Sequence, residues 1–243
     1  MDLNFGFQKV RSDLKTEKVQ QVFRDVSDYY DLMNDIMSAG LHRSWKEKMI
    51  SYVNPLPNDC ILDLACGTGD LAIKALSKEP EINIVLCDLN SDMLELSQSR
   101  LTNQNHLSAS VVQANAENLP YLNDSFDKCM IAFGIRNVTH IDKALKELYR
   151  VTRDFGSVYI MEFSLPSEPI PRQLAKQYLD YALPMMGTVV ANDAKSYQYL
   201  SESIQLFPQP VEFISQLKSS GFRSVTHIPM MFSSVNLFCA HKV

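Results

Sequence analysis

Two acidic side chains and a glycine turn carry the first chemical signal in the chain. Asp63 stands near the end of an apolar run, and Gly67, Thr68 and Gly69 follow before a second apolar pattern opens at Leu71. Glycines at such a turn let a ligand approach the backbone and leave N–H groups aimed at it from a helix start. Asp88 lies about 20 residues further on, the spacing at which a carboxylate accepts hydrogen bonds from ribose hydroxyls. This is the chemistry of an adenosine cofactor, and it leaves two kinds open. Gly67-Thr68-Gly69-Asp70-Leu71-Ala72 also fits the dinucleotide fingerprint G-x-G-x-x-A. Asp88 has a rival role as a helix cap, although Asn90, Ser91 and Asp92 compete for it. Its spacing from the glycines favours the ribose. Later, Arg136 and Asn137 place a guanidinium and an amide just after a strand-like run. Doubly wound sheets bind their ligands at that end of their strands.

These residues need a scaffold, and the hydrophobic pattern supplies one. Strand-like runs fall at 60–65, 83–88, 110–113, 128–133 and 157–163, with helical patterns at 70–77, 92–101 and 141–151 between most of them. In the last helix Ile141, Ala144, Leu145, Leu148 and Val151 share a face. Alternating strands and helices with short links predict a parallel sheet covered on both sides. Ahead of it, residues 16–52 read as mainly helical with a break near Ser38-Ala39-Gly40. Behind it, residues 170–203 read as helical with a break at Pro184 or Gly187. A helix at 210–220 follows, with Pro210 in its first turn and Gly221 after its end. Strands at 222–228 and 234–240 close the chain as a pair. The expected architecture is α/β: a doubly wound, mostly parallel seven-stranded sheet with one antiparallel edge strand, N-terminal helices and a helical cap. One domain is expected, in four regions: 1–54 over the cleft, 55–165 as cofactor core, 166–207 as cap, and 208–243 completing the sheet.

Composition narrows the class. At 243 residues and 46% apolar, the chain can bury a full core. A net charge of −5 argues against a protein that tracks nucleic-acid phosphates, so no nucleic-acid partner is expected. The five cysteines are scattered without a C-x-x-C pair, which points to free thiols and no metal site. No apolar run reaches the roughly 18 residues of a membrane span, and the N-terminus lacks the pattern of a signal peptide. A cytoplasmic protein is expected, with at most peripheral contact at the inner face of a membrane.

Two features separate the cofactor readings. Asp63 ahead of the turn matches the acid-x-G-x-G-x-G pattern of S-adenosylmethionine (SAM) enzymes, with Ala65 in the place of the first glycine. Gln113-Ala114-Asn115-Ala116-Glu117 then follows the third strand and leads to Asp124-Ser125-Phe126-Asp127, as in the adenine-binding segment of those enzymes. The chain thus resembles class I SAM-dependent methyltransferases. One branch matches more closely. Tyr30-Asp31-Leu32-Met33-Asn34-Asp35, Gly40-Leu41-His42-Arg43-Ser44-Trp45-Lys46 and Phe133-Gly134-Ile135-Arg136-Asn137-Val138 resemble the ubiquinone/menaquinone biosynthesis C-methyltransferases, from about Lys18 onward.

The resemblance implies methylation of a ring carbon of a polyprenylated quinol, either a methoxy-benzoquinol or demethylmenaquinol. It implies SAM binding through Asp63, Gly67, Thr68, Gly69, Asp88, Asn115 and Ala116, and at Ala132, where family members commonly carry serine. A quinol carbon becomes nucleophilic when its neighbouring hydroxyl loses a proton, so the site must accept that proton or stabilise the phenolate. Arg136 is expected to stabilise the phenolate, Asn137 to orient the hydroxyl or a water, and Tyr30 to complete a proton relay. Structural roles compete: Arg136 with an acid such as Asp35, Tyr30 beneath the cap, His42 and His140 at helix starts. There is no Pro-Cys nucleophile and no Asn-Pro-Pro-Tyr signature of amino-group methyltransferases. The cap at 170–203 is expected to house the prenyl tail. Expected partners are the polyprenyl quinol and transient contact with a membrane or a quinone-synthesis complex, and a homodimer is admitted. Three other readings stay open: a SAM methyltransferase of another small molecule or lipid, a non-catalytic SAM-binding subunit, and a nicotinamide oxidoreductase.

Overall fold

The computed structural model describes residues 2–26, 34–35, 37–106, 108–188 and 193–243. The chain opens with a small hairpin, β1 (Asp2–Phe5) and β2 (Gln8–Arg11), which runs directly into α1 (Ser12–Val26). Four-residue strands with half-exposed side chains carry no readable apolar alternation, so this hairpin was not visible in the sequence. Helix α2 (Leu41–Val53) follows, after the break at Gly40, which takes a left-handed φ of 76°.

The central sheet consists of β3 (Cys60–Leu64), β4 (Asn83–Asp88), β5 (Ser110–Gln113), β6 (Phe126–Ala132), β7 (Thr152–Phe163), β8 (Ser224–Met230) and β9 (Val235–His241). Its order is β5-β4-β3-β6-β7-β9-β8. The first five strands in that order pair in parallel. β9 runs antiparallel to β7 on one side and to the rim strand β8 on the other. The seven strands and the single antiparallel strand in the closing pair match the sequence expectation. Ile61 and Leu62, on opposite faces of β3, are both fully buried, which is why that strand reads as a continuous apolar run.

The crossovers are α3 (Asp70–Lys78), α4 (Ser91–Asn103) and α5 (Ile141–Val151). Ala144, Leu145, Leu148 and Val151 of α5 enter the core as their spacing requires. One core layer gathers Met49, Leu76 and Leu86, and the other Leu64, Leu148 and Phe213. Strand β7 begins at Thr152, ahead of the expected 157. Phe155 adopts a left-handed φ of 64°, and a Cβ on Gly156 would lie 2.8 Å from the carbonyls of Arg153 and Asp127. That irregularity hides the first turn of the strand from its side-chain pattern.

After β7 come α6 (Pro169–Gln177), a π-helical turn (Tyr178–Ala182), α7 (Leu183–Met186) and α8 (Ala194–Leu206). Pro184 sits in the first turn of α7, where its missing N–H goes unused, so it does not break the chain there. Gly187 does mark a constraint, because a Cβ would fall 2.3 Å from the Tyr197 ring. Helix α9 (Pro210–Ser219) then leads to the closing strands. No helix among the described residues is long and apolar enough to cross a membrane.

Candidate active site

The glycine turn leaves β3 through three left-handed residues, Ala65 (φ 51°), Gly67 (φ 54°) and Gly69 (φ 79°). Ala65 thus adopts the conformation that explains a glycine in the general pattern, at a cost of roughly 1–2 kcal/mol. A Cβ on Gly67 would meet nothing within 4 Å, so the turn presents bare backbone to an open cleft. Across it, Asp88 accepts hydrogen bonds from the Gly67 N–H (2.9 Å, Oδ2) and the Asn90 N–H (2.9 Å, Oδ1). The capping role belongs to Asn90, whose side-chain oxygen accepts from the N–H groups of Asp92 and Met93. Asp88 therefore stays at the lip of the cleft. Burial pushes its carboxyl upward, opposed by the N–H groups of Asn90 and Gly67.

Asp63 lies one layer deeper. It is 1% exposed; Oδ2 accepts from the Ala72 N–H at 3.1 Å, while Oδ1 has no partner among the described residues. Burial pushes its carboxyl up to about 8. Around it stands a charged frame. Lys46 of α2 places Nζ 3.0 Å from Asp70 Oδ2, and Arg100 of α4 meets Asp70 Oδ1 at 3.0 Å. Burial opposes ionisation of Asp70, but these two cations outweigh it and hold that carboxyl at about 2. Arg100 also donates to the Thr68 hydroxyl at 2.7 Å, so Thr68 is fixed to the frame from behind.

Two cavities open on this turn. The smaller, about 110 Å³, is lined by Gly67, Asp88, Asn90, Asn115, Ala116 and Asn137, under a lid of α1 residues including Gln20 and Phe23. Asn115 turns its side-chain oxygen onto the Glu117 N–H (2.9 Å), and Ala116 is buried against the core. The larger cavity, about 550 Å³, is lined by Asp63, Thr68 and Lys46 at one end and by Leu174, Leu179 and Leu183 of the cap at the other. The two share Ala65, Gly67, Ala132 and Phe133. Ala132, as its side chain requires, offers no hydroxyl at this junction.

Three of the orphaned buried polar atoms belong to residues lining these cavities: Asp63 Oδ1, Asn90 Nδ2 and Asn137 Nδ2. Native proteins rarely leave such atoms unpaired. An ammonium would fit the first and acceptor atoms of a nucleoside the other two, so a zwitterionic amino acid joined to a nucleoside suits the set. SAM is such a molecule.

The residues expected to act on the substrate are placed differently from one another. Arg136 and Asn137 sit on a short 3-10 turn (Ile135–Asn137) after β6. The Arg136 guanidinium lies beneath the cavity floor, 2.7 Å from the fully buried Glu162, and donates also to the Phe133 carbonyl. Glu162 in turn accepts from the Phe163 N–H at 2.9 Å. This ion pair fixes the backbones of two aromatic residues whose rings stack at 4.4 Å and face the larger cavity. Asp35, the acid considered for Arg136, pairs with Arg43 instead. Asn137 lines the smaller cavity, and its side-chain oxygen accepts from the Tyr199 hydroxyl at 3.0 Å. Tyr30 lies outside the described residues. His140 occupies the N-cap of α5, donating its N–H to Glu117.

The sequence reading gave His42 a structural role at a helix start and gave Trp45 and Lys46 of the same α2 face none. His42, Trp45 and Lys46 all line the larger cavity. Their i, i+3, i+4 spacing was the available signal, since it puts polar side chains on the buried side of a helix. Trp45 meets Phe133 at 6.4 Å and Phe163 at 6.1 Å, both edge-on, and completes an aromatic wall.

Comparison with known proteins gives a concordant picture. The model of the ubiE/COQ5 methyltransferase family matches residues 11–242. The ubiquinone/menaquinone biosynthesis C-methyltransferase UbiE of Marinomonas sp. (strain MWYL1) is 42% identical over 226 residues, covering 92% of this chain and 90% of that protein. The mitochondrial 2-methoxy-6-polyprenyl-1,4-benzoquinol methylase of Rattus norvegicus is 38% identical, covering 100% of this chain and 85% of its own. Among solved structures, a SAM-dependent methyltransferase of Thermotoga maritima superposes with a TM-score of 0.64, covering 93% of this chain and all of its own. At 16% identity that likeness concerns the fold alone.

Proposed function

The chain belongs to the ubiE/COQ5 methyltransferase family, and from this premise we infer that it is a SAM-dependent C-methyltransferase acting on a ring carbon of a polyprenylated quinol in ubiquinone or menaquinone biosynthesis. The observation that carries the substrate reading is the junction of the two cavities at Ala65, Gly67, Ala132 and Phe133, with an aromatic wall on one side and an apolar cap beyond. When bound, SAM supplies a methyl group activated by a positively charged sulfur. The chain's own residues do the rest.

Asp63 Oδ1 receives the ammonium, Lys46 attracts the carboxylate, Asp88 takes the ribose hydroxyls, and Asn115 with Ala116 meets the adenine. Asn137 lines the smaller cavity, its Nδ2 without a partner among the described residues. Trp45, Phe133 and Phe163 hold the quinol ring flat against the junction, and electron-rich ring faces there favour a nearby cationic sulfur. Positioning of this kind supplies a large share of the rate in a two-molecule displacement. Arg136 and Glu162 are positioning residues: they fix the aromatic floor from beneath. The tail leaves past Leu174, Leu179 and Leu183. Exposed Ile170, Tyr181, Met185 and Phe232 surround the cap and the β8–β9 turn, which suits transient contact with the membrane that holds the substrate.

The test supplies the purified protein with methyl-deuterated SAM and short-chain forms of 2-methoxy-benzoquinol and demethylmenaquinol kept reduced. Mass spectrometry should show one labelled methyl group on the ring of at least one of them. Tight SAM binding without transfer to either ring would leave a binding subunit as the better reading. Quinone profiles of cells with and without the protein then name the natural ring, through the unmethylated species that accumulates.

A further inference from the structure

His42 has a defined tautomer, and the definition comes from its neighbours. Ser38 Oγ lies 2.6 Å from the Asn34 carbonyl, which can only accept, so the serine hydrogen is committed there. Ser38 Oγ also lies 2.9 Å from His42 Nδ1 and 3.2 Å from the His42 backbone N. With its own hydrogen spent, the serine oxygen must accept both. Nδ1 therefore carries the ring proton. Asp35 Oδ1, 3.7 Å from the same nitrogen, favours that arrangement.

The other nitrogen is then an unprotonated acceptor. No hydrogen bond reaches Nε2 from the described residues, and Nε2 is not among the fully enclosed orphan atoms. The residue is 6% exposed and lines the larger cavity. An open lone pair on a nearly buried residue of a cavity wall faces whatever fills that cavity.

We propose that His42 Nε2 is the proton acceptor for the quinol hydroxyl, with Ser38 and Asp35 as positioning residues that hold its tautomer. The assignment rests on the quinol reading of the site. In the step, the phenolic O–H bond breaks with its electron pair left on oxygen, and an N–H bond forms at Nε2. After the ring carbon has taken the methyl group, the proton on that carbon leaves to water. The imidazolium returns its own proton to the oxygen, and one proton is released per turnover.

The charges around the ring suit this task. Burial lowers its proton affinity, and Lys46, one turn along α2, lowers it further; Asp35 and Asp70 raise it, and the adjacent Arg43 lowers it. The net direction is downward, so the ring is neutral at physiological pH and ready to accept. A cationic methyl donor in the same cleft acts in the same sense as Lys46 until transfer makes its sulfur neutral.

His42→Asn can keep a donor near the Nδ1 position and removes the basic nitrogen, since an amide oxygen accepts a hydrogen bond but does not take up a proton. Under single-turnover conditions the rate should fall by roughly 10²–10⁴-fold, while SAM affinity and Tm stay close to wild type. A purely structural histidine could show a loss as well, so the deciding measurement is a series of ring-fluorinated quinol analogues of decreasing hydroxyl pKa. The deficit of the variant should shrink along the series as the hydroxyl ionises without help. Nitrogen-15 NMR of the wild-type ring supplies a readout independent of turnover, and should show a bare Nε2. A loss below about threefold, a deficit that stays constant across the analogues, or a protonated Nε2 in the neutral ring would each overturn the assignment. If wild type methylates neither quinol, the substrate reading fails and takes this assignment with it. Wild-type turnover with an unimpaired variant removes the assignment alone.

Discussion

Asp63 is a carboxyl that burial has made reluctant to ionise. Its folded value of about 8 lies above the ordinary carboxylate range near 4. The folded state therefore holds a proton that the unfolded chain has lost over that window, and stability falls as pH rises from about 4 toward 8. Asp63→Asn should remove this slope, so that the Tm advantage of the variant over wild type grows between pH 5 and pH 8. A ligand ammonium at Oδ1 reverses the preference and expels the proton. Titration calorimetry at pH 7 in two buffers of different ionisation enthalpy should then show proton release on SAM binding by wild type, and none from this position in the variant. Equal release from both would place the ammonium elsewhere. The meeting of Asp63, Asp88 and the glycines at one turn was legible in the sequence because it follows from a local strand–turn–helix path. The approach of His42 and Lys46 to that turn was not, since only the folding of α2 across it brings them there. The place of Arg136 after β6 was legible but its pairing was not, because Glu162, its partner, lies 26 residues away on the neighbouring strand.

Two elements meet closely where the turns after β3 and β6 cross. A Cβ on Gly134 would lie 2.7 Å from the Ala65 Cβ, although the Gly134 φ of −112° is open to any residue. Gly134→Ala should thus act by sterics alone, costing about 1–3 kcal/mol and weakening SAM binding several-fold as the glycine turn shifts. Adding Ala65→Gly removes the opposing methyl, and denaturant melts of the four proteins should show most of the loss recovered. An additive pair would mean that the crossing is looser than the structure has it. The floor beneath behaves as a second unit. Arg136→Ala strands the buried Glu162 and should cost about 3–5 kcal/mol, with turnover falling as Phe133 and Phe163 lose their anchor. Arg136→Met with Glu162→Gln leaves no unpaired charge and should regain stability and part of the turnover. A double variant that refolds fully yet stays inactive would restore a direct role for the guanidinium. The alternation of strands and helices was readable because each segment is apolar on the side that its period dictates. The N-terminal hairpin and the first turn of β7 were not, since their geometry rests on contacts rather than on pattern.

At the scale of the molecule, the N-terminal segment and the cap cover the sheet's ligand end from two sides. Phe5 of the hairpin stacks on Tyr199 of α8 at 4.4 Å, and the Phe7 N–H reaches Glu202 at 2.8 Å. Lys15 and Thr16 of α1 bind Val138 and Thr139, just past the 3-10 turn. The smaller cavity is thus covered through an aromatic stack and several polar contacts, whereas the cap end of the larger one is walled by apolar side chains. This division suits one water-soluble ligand and one lipid. A cavity of about 550 Å³ falls in the range of pockets for drug-sized ligands, enough for a ring and the start of a prenyl chain. The remainder of a long tail must leave past the mouth, where Leu174 lines the cavity yet is 61% exposed. Leu174→Asp should leave the fold intact, because that side chain is not part of the core. It removes an apolar contact worth up to about 2 kcal/mol and adds a charge that the tail would have to pass. The KM for a long-chain quinol presented in vesicles should therefore rise at least about tenfold, while a quinol without a tail keeps its KM within about twofold. Equal effects on both substrates would mean that the tail takes another path and that the greasy rim serves some other contact.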